Sequence, residues 1–377
     1  MRIRAAVLEE YDTPLAMHEL ELDPPGPGEV RVRVAAAGVC HSDLHVADGH
    51  LGPGRHPIVL GHEGAGVVEA LGDGVLHVEV GDPVAFCFVP ACGSCPACAA
   101  GRRNLCAAAA EHAWAGTLLD GTTRLRMPGG AAVKHFNFVS CFASHCVVPA
   151  GSAVPIPAGL PLWQASLLGC GVVTAVGAVR NAARVAVGET VCVIGCGGVG
   201  QQLVAAARLA GAGRIIAVER DRAKLELALA RGATDAVAAA AGADPVAGVL
   251  ELAPGGVDHA FEAVGSPATI RLAWDVLRPG ATAIVVGIAP AGVQVALPAL
   301  ELLSEKGIRG SYYGSGDAAA LLISMAELTR AGRFHVADVV THTCELDGIE
   351  AAFERLRRGE GARTVALLDR ELAGWTS

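Results

Sequence analysis

The sequence predicts an α/β protein: a doubly wound parallel sheet covered by helices, joined to a second, β-rich domain that carries a thiol-rich lobe. Three observations predict it. From about residue 190, apolar strand-like runs alternate with helix-period segments, the rhythm of a parallel sheet with helical crossovers. The first third holds short Val-rich runs bounded by Gly, Asp and Pro. And 377 residues exceed one compact core, so two or three domains are expected.

Composition narrows the function classes. The chain is 52% hydrophobic with a mean hydropathy of +0.44, so burial is ample, but aromatics are only 4% and the core must be built from Ala, Val and Leu. Net charge is −9 and no block of like charge stands out, which argues against a nucleic-acid or anionic-membrane partner. The segment from His135 to Val179 contains no Asp, Glu, Lys or Arg. Pro149, Pro155, Pro157, Pro161 and the Gly169–Cys170–Gly171 run punctuate it, so it is read as buried core with no room for an unbroken apolar helix of about 20 residues. The opening MRIRAAVLEEYDT has too short an apolar run for a signal peptide, and a cytoplasmic protein is expected.

The elements follow in order. EVRVRVAAAGVC alternates and then turns wholly apolar, and GAGVVEALG and GDPVAFCFV are short strands. TVCVIG, RIIAVE, DAV, VDHAFEAVG and ATAIVVG read as strands of the parallel sheet. VGQQLVAAARLAGA, DRAKLELALARGA and the run around PATIRLAWDVLRPG read as its helices. AVAAAAGADP is a strand end and loop. After about Gly310 come two helices, AAALLISMAELTRAG and DGIEAAFERLRRG, and a last strand, RTVALLD.

VIGCGGVG places Gly195, Gly197 and Gly200 in a GxGxxG pattern directly after a strand and at a helix start, with Gly198 and Val199 between. The first glycine allows the tight turn, the second lets a pyrophosphate approach the backbone, and the third lets helix and strand pack closely. Backbone N–H groups and the helix dipole then hold the phosphates. Glu219 ends the next strand, 19 residues after Gly200, where a carboxylate accepts hydrogen bonds from a ribose diol and repels a 2′-phosphate. This favours NAD, although Arg220 and Arg222 beside it are possible phosphate partners.

CGSCPACAAGRRNLC packs Cys92, Cys95, Cys98 and Cys106 into one loop. A chain with an ample core and no export signal has no need of a disulfide scaffold, so metal-binding thiolates are the better reading of its twelve cysteines. Four thiolates make a closed tetrahedral zinc site, structural because it leaves no position open. An iron cluster fits the same ligands. Arg102 and Arg103 inside the lobe are expected to offset its charge.

A second set comes from separate segments: Cys40, His41, Ser42, Asp43 and His45 in GVCHSDLH, His62 and Glu63 in LGHEGAG, and Cys170 in LLGCGVVTAVG. Two thiols and one imidazole are a catalytic zinc donor set, with the fourth position open to an alcohol oxygen that the metal stabilises as alkoxide. Hydride then leaves for the nicotinamide.

With GVCHSD, GHE, the C-x2-C-x2-C-x7-C lobe, the late GCG and GCGGVG in that order, the whole chain resembles the zinc-dependent medium-chain alcohol dehydrogenases. The resemblance implies a Rossmann coenzyme domain over 173–309 and a GroES-like catalytic domain over 1–172 and 310–377, with a structural zinc lobe at 92–106. It implies catalytic zinc on Cys40, His62 and Cys170, and structural zinc on Cys92, Cys95, Cys98 and Cys106. Glu63 is then a carboxylate near the metal, and Asp43 orients His62. Ser42 takes the alcohol proton and passes it through the cofactor ribose to His45 and solvent. Ser42 is also a candidate N-cap for DLHVADG. By the same resemblance His41 and Arg363 lie near the pyrophosphate, Lys224 near the adenosine ribose, and Thr174 under the nicotinamide. Leu51 and Phe88 line the substrate pocket. His56 is read as a surface position.

EHAWAGTLLDGTTRLRMPGG resembles the longer-loop branch of the family, which includes liver-type and thiol-dependent formaldehyde dehydrogenases and implies a homodimer. The leading expectation is therefore an enzyme that exchanges hydride between an alcohol or aldehyde and NAD. The alternatives are the same chemistry on a thiol–aldehyde adduct or an activated iminium or enal, and a non-catalytic zinc- and nucleotide-binding protein.

Overall fold

The computed structural model describes residues 1–51, 54 and 56–376, in two compact units. One unit comprises residues 1–170 and 317–377, the other 171–316. The chain thus passes between units at 170/171 and 316/317, where the sequence suggested 172/173 and 309/310.

The first unit is built from β-strands. A small closed barrel joins Arg2–Leu8, Ala16–Leu22, Leu125–Arg126, Ala132–His135 and Ile58–Val59. Beside it, a seven-stranded sheet centres on Glu29–Val39. That strand pairs with Gly64–Leu71, with His145–Pro149 near its start, and with the C-terminal strand Arg363–Leu367 near its end. Its burial explains its sequence. Val30, Val32 and Val34 are buried while Arg31 and Arg33 reach outward, and from Ala35 to Val39 every residue is buried because both faces are covered. The two barrel strands Arg2–Leu8 and Ala16–Leu22 pair antiparallel over six residue pairs. Charged residues interrupt both, Arg2 and Arg4 in the first and Glu19 and Glu21 in the second, which hid them in the sequence.

The second unit is a six-stranded parallel sheet. Its spatial order is Asp235–Ala238, Arg214–Glu219, Thr190–Ile194, Val257–Glu262, Leu277–Val285, Gly307–Gly310. This is the 3-2-1-4-5-6 order of a dinucleotide-binding sheet, with its switch point beside the first strand. Val191, Cys192, Val193 and Ile194 are all buried, as a central parallel strand requires. The helix Gly198–Ala210 stops at Gly211, which takes φ +85. The helix Pro267–Asp275 starts on a Ser266–Thr269 capping box. The short helix Pro245–Leu252 and the edge strand Gly307–Gly310 were not read from the sequence.

The charge-free segment corrects one expectation. Leu162–Ala183 is a single helical run of 22 residues that continues through Gly169–Cys170–Gly171, widening into π-turns on the way. Pro161 sets its start and does not interrupt it. Among the described residues it is the one helix long and apolar enough to cross a bilayer, and 83% of its most apolar window is buried inside the protein. His56 is also not a plain surface residue: it is half-buried, with its ring edge-on to Tyr11 at 4.8 Å.

His135 closes the barrel strand Ala132–His135 and is 1% exposed. Burial, helped by Arg124, pushes its pKa down to about 3. Its Nε2 accepts from the Arg124 backbone N–H at 3.2 Å, and its buried Nδ1 has no partner among the described residues. The folded form therefore holds His135 neutral while the unfolded chain, with an ordinary pKa of 6.5, takes up a proton. This contribution to stability is complete above pH 6.5 and is lost as pH falls, at up to about 1.4 kcal/mol per pH unit. Urea midpoints measured at descending pH below 6.5 should fall with that slope, and His135→Gln should flatten it.

Candidate active site

The site is assembled from three places in the first unit. The strand Glu29–Val39 ends at Cys40, which opens the helix His41–Ala47. Cys40 itself is the N-cap, so Ser42 lies inside the first turn and does not cap it. Asp43, fully buried, accepts the Cys40 backbone N–H at 3.3 Å and the Gly61 N–H at 2.9 Å. It thereby ties the helix start to the segment that carries His62 and Glu63. Cys170 arrives on the long helix. A Cβ on Gly169 would lie 2.2 Å from the Phe86 carbonyl oxygen, so only glycine lets this helix press close enough to the strand Pro83–Phe86.

Cys40, His62 and Cys170 converge, all buried, with their donor atoms within 4.8 Å of one another. His62 Nε2 is 3.2 Å from Cys170 Sγ, and its Nδ1 is 3.1 Å from Asp43 Oδ1. Asp43 thus fixes the ring so that Nε2 faces the thiols. Ser42 Oγ lies 3.7 Å from Cys40 Sγ. Phe88 and Phe136 both stand edge-on to the His62 ring, at 5.2 and 5.3 Å.

The charges are consistent with a cation at the centre. The hydrogen bond from Cys170 lowers the Cys40 thiol well below its ordinary value against the pull of burial, and that same bond, with burial, raises Cys170. Burial pushes His62 down, but Asp43 and Cys40 outweigh it and hold it well above the usual imidazole range. Burial raises Glu63 although Arg363 opposes it. One Glu63 oxygen is bonded by the Arg363 guanidinium; the other is buried without a partner among the described residues. Two thiols, an imidazole and an orphaned carboxylate oxygen, all shielded from water, form a donor set that suits zinc, which would displace the protons these groups otherwise share. Arg363, expected beside a pyrophosphate, is only 7% exposed, and it also donates to the Val39 carbonyl at 3.4 Å.

The thiol lobe forms a second cluster. Cys92, Cys95, Cys98 and Cys106 bring their sulfurs within 4.8 Å of one another, and the Cys92 and Cys98 sulfurs are 4.0 Å apart, within thiol hydrogen-bond reach and with no disulfide between them. Backbone N–H groups of Ser94 and Cys95 lower Cys92 to about 6, while burial raises Cys98 to about 12. Four crowded sulfurs cannot all ionise without a cation, and four thiolates saturate a tetrahedral metal. Arg103, expected to offset the charge of this cluster, has its guanidinium on a carboxylate. It pairs with Asp317, the N-cap of the helix Ala318–Arg330, at 3.3 Å.

In the second unit the GxGxxG loop has the geometry its spacing implied. Gly195 takes φ +86, and a Cβ on Gly200 would lie 1.8 Å from the Gly195 carbonyl oxygen. A Cβ on Gly197 would meet nothing within 4 Å, which leaves its face open to an approaching group. The first bond of the helix runs from Gln201 N–H to Gly197 O, so the N–H groups of Gly198, Val199 and Gly200 precede the ladder. Glu219 accepts from Cys196 N–H at 2.8 Å, from Arg220 N–H at 2.7 Å and from Asp221 N–H at 3.2 Å, which fixes its carboxylate beside the loop. Lys224 lies in the next helix, where its carbonyl accepts from Gln201. Thr174 is half-buried in the helical turn Val173–Gly177, and Leu51 is half-buried after the helix His41–Ala47. His41 is exposed at that helix's first position.

Sequence reasoning missed three residues. Phe136 lies in a stretch with no motif. Glu262, fully buried, accepts from Val264 N–H, Gly265 N–H and Thr269 Oγ1 and shapes the loop after its strand; a carboxylate ending an apolar strand was the available signal. His50 lies against His45, their Nδ1 atoms 3.3 Å apart.

Comparison with known proteins agrees with this geometry. The pattern of an "Alcohol dehydrogenase GroES-like domain" matches residues 26–158, and that of a "Zinc-binding dehydrogenase" matches residues 198–328. An S-(hydroxymethyl)glutathione dehydrogenase of Photobacterium damsela is 38% identical over 97% of this chain and 99% of its own. The chain belongs to the zinc-dependent medium-chain alcohol dehydrogenase family. An S-(hydroxymethyl)glutathione dehydrogenase of Synechocystis is 37% identical over the same shares. Among solved structures, an alcohol dehydrogenase zinc-binding domain protein from Burkholderia ambifaria superposes with TM-score 0.93 at 35% identity, covering 98% of this chain and 99% of that one. The benzyl alcohol dehydrogenase of Acinetobacter calcoaceticus gives TM-score 0.92 at 31% identity, covering 98% and 100%. This dehydrogenase is thus a zinc-binding enzyme with a GroES-like unit and a Rossmann-type NAD-binding unit, in the branch that holds the thiol-dependent formaldehyde dehydrogenases.

Proposed function

We propose that this dehydrogenase oxidises the hydroxymethyl adduct of a thiol with formaldehyde, using NAD. The observation that carries the reading is end-to-end similarity to S-(hydroxymethyl)glutathione dehydrogenases in a chain that keeps the Cys40, His62 and Cys170 cluster. A free alcohol as the main substrate, the leading expectation from sequence, becomes the second reading. Phe88 and Phe136 beside His62 favour it, because an aromatic ring packs well against such faces, and the fold is close to that of a benzyl alcohol dehydrogenase.

Cys40, His62 and Cys170 would hold the catalytic zinc, which when bound supplies Lewis-acid polarisation of the substrate oxygen. Asp43 keeps His62 in the tautomer that presents Nε2. Ser42 receives the substrate's hydroxyl proton and His45 takes it outward. Glu63 and Arg363 balance each other's buried charge behind the thiols. The loop N–H groups at Gly198 and Val199 bind pyrophosphate, with His41 as a further partner, and Lys224 lies toward the adenosine ribose. Thr174 packs under the nicotinamide, and Leu51 and Phe88 line the substrate pocket. Cys92, Cys95, Cys98 and Cys106 would hold a structural zinc, and the chain works as a cytoplasmic homodimer.

Glu219 selects NAD by accepting from the ribose diol. Glu219→Ala should lower the ratio of kcat/KM with NAD to that with NADP by about ten- to a hundredfold, the worth of one or two charge-assisted hydrogen bonds. Residues 107–123 carry no Lys or Arg, and the two arginines that follow are paired within the protein, Arg124 with Glu29 and Asp120 and Arg126 with Asp23, so this segment offers no uncommitted cation to a thiol rich in carboxylates. The test of the reading is therefore a screen, followed by NADH formation, of hydroxymethyl adducts of glutathione, N-acetylcysteine and an uncharged thiol against benzyl alcohol and ethanol. The adducts should give the highest kcat/KM. Higher kcat/KM with benzyl alcohol than with every adduct would favour the second reading.

A further inference from the structure

The helix His41–Ala47 ends in a way that sets two imidazoles against each other. Gly49 takes φ +67, its N–H donates to the Val46 carbonyl at 3.0 Å, and the His50 N–H donates to the His45 carbonyl at 2.9 Å. This paired closure is what a glycine permits just past a helix end. It brings the residue after the glycine over the residue three from the helix end. Here those two residues are His50 and His45. Their Nδ1 atoms are 3.3 Å apart and their ring centroids 5.6 Å. A neutral imidazole has one donor and one acceptor nitrogen, so facing Nδ1 atoms form a hydrogen bond when one of them carries the proton. His45 is half-buried and His50 exposed, so the pair runs from the interior to water.

We propose that His50 is the outermost station of the proton path, taking a proton from His45 Nδ1 and handing it to water. The proposal rests on the reading of Ser42 and His45 as that path. The step balances without any redox change. His45 gains a proton on its other ring nitrogen, the N–H bond at its Nδ1 breaks, and an N–H bond forms at His50 Nδ1. His50 then loses the proton from its own Nε2 to water, and both rings return to neutral.

The surroundings favour outward transfer. Burial lowers the proton affinity of His45, and His41 and His50 lower it further; Cys40 and Asp48 oppose this. Asp48 is itself committed, accepting from Arg357 at 2.8 Å. Arg357 comes from the helix Ile349–Arg357 packed on this one, and it also bonds Glu350 at 3.3 Å. Tyr11 packs against the Gly49 side of the turn. Among the described residues, Asp48 is the carboxylate that favours a proton on His45, and the Arg357 guanidinium on its Oδ1 offsets that charge; the exposed His50 is the adjacent base.

The test compares wild type, His50→Gln and His45→Gln as zinc-loaded enzyme with NAD. Glutamine keeps a hydrogen-bonding side chain but carries no proton. Proton release after mixing with substrate is followed by stopped flow with an indicator dye, once with S-(hydroxymethyl)glutathione and once with benzyl alcohol. A wrong substrate assignment then appears as absent turnover in one arm and leaves the His50 comparison to the other. His50→Gln should slow release by about tenfold, move the acidic limb of the kcat profile to higher pH, and be rescued by imidazole in the buffer. The His45 pKa, read without turnover from imidazole proton resonances, should rise in His50→Gln. Wild-type release with an unmoved limb, slow release that imidazole does not rescue, or an unmoved His45 pKa overturns the proposal. If His45→Gln also releases protons at the wild-type rate, the Ser42–His45 path fails and His50 with it.

Discussion

Cys40→Ala is expected to abolish turnover, by at least about a thousandfold in kcat, while NADH binding stays close to wild type. The magnitude follows from removing one of three donors to a Lewis acid that supplies several kcal/mol of charge stabilisation. The site has no spare thiol to compensate, since Cys170 and His62 are already committed within the same cluster. NADH binding survives because the phosphate-binding loop and Glu219 belong to the other unit. Steady-state kinetics beside NADH fluorescence titration separates the two effects. Asp43→Asn gives a graded comparison. It keeps the shape but weakens the hold on His62 Nδ1, and a loss of about 10–100-fold is expected. Comparable losses in the two variants would mean that Cys40 does no more than position.

Cys98→Ala is expected to act in the opposite way, on stability before chemistry. Cys98 is buried within a lobe whose short helix Pro96–Ala99 is a single turn. Cross-linking by a metal is what such a loop has in place of a core. Loss of one thiolate should release that metal and lower the thermal midpoint by about 10 °C or more. Turnover per folded molecule at low temperature should remain substantial. Calorimetry and initial rates on freshly prepared protein check the two halves separately. A variant with an unchanged midpoint but no activity would reverse the assignment of the two clusters.

Much of this was legible in the sequence, and the reasons are specific. GxGxxG in VIGCGGVG could be read because strand, turn and helix are adjacent in sequence, so the local pattern contains the whole device. The thiol lobe was equally local. Cys40, His62 and Cys170 were different. Each is unremarkable alone, and only their order within a familiar family pattern joined them. The structure supplies the physical links: Asp43 bonding Gly61, and Gly169 pressing on the Phe86 carbonyl. Arg2–Leu8 and Ala16–Leu22 were missed because barrel pairing, rather than local hydrophobicity, makes them strands. The helix Leu162–Ala183 was missed because prolines and glycines were counted as breaks, whereas Pro161 caps the start and Gly169 is needed for close packing. The His45–His50 pair was present in HVADGH, as a glycine two residues beyond a helix end, but a helix end cannot be located that finely from sequence.

The most direct test of the central claim is metal content with ligand identity, measured on wild type and Cys40→Ala by elemental analysis and zinc X-ray absorption. The account predicts two zinc ions per chain in the wild type, one in an all-sulfur environment and one with two sulfurs and lighter donors, and in Cys40→Ala only the all-sulfur one. A single zinc in the wild type, or two zinc ions both retained with unchanged ligands in Cys40→Ala, would contradict it.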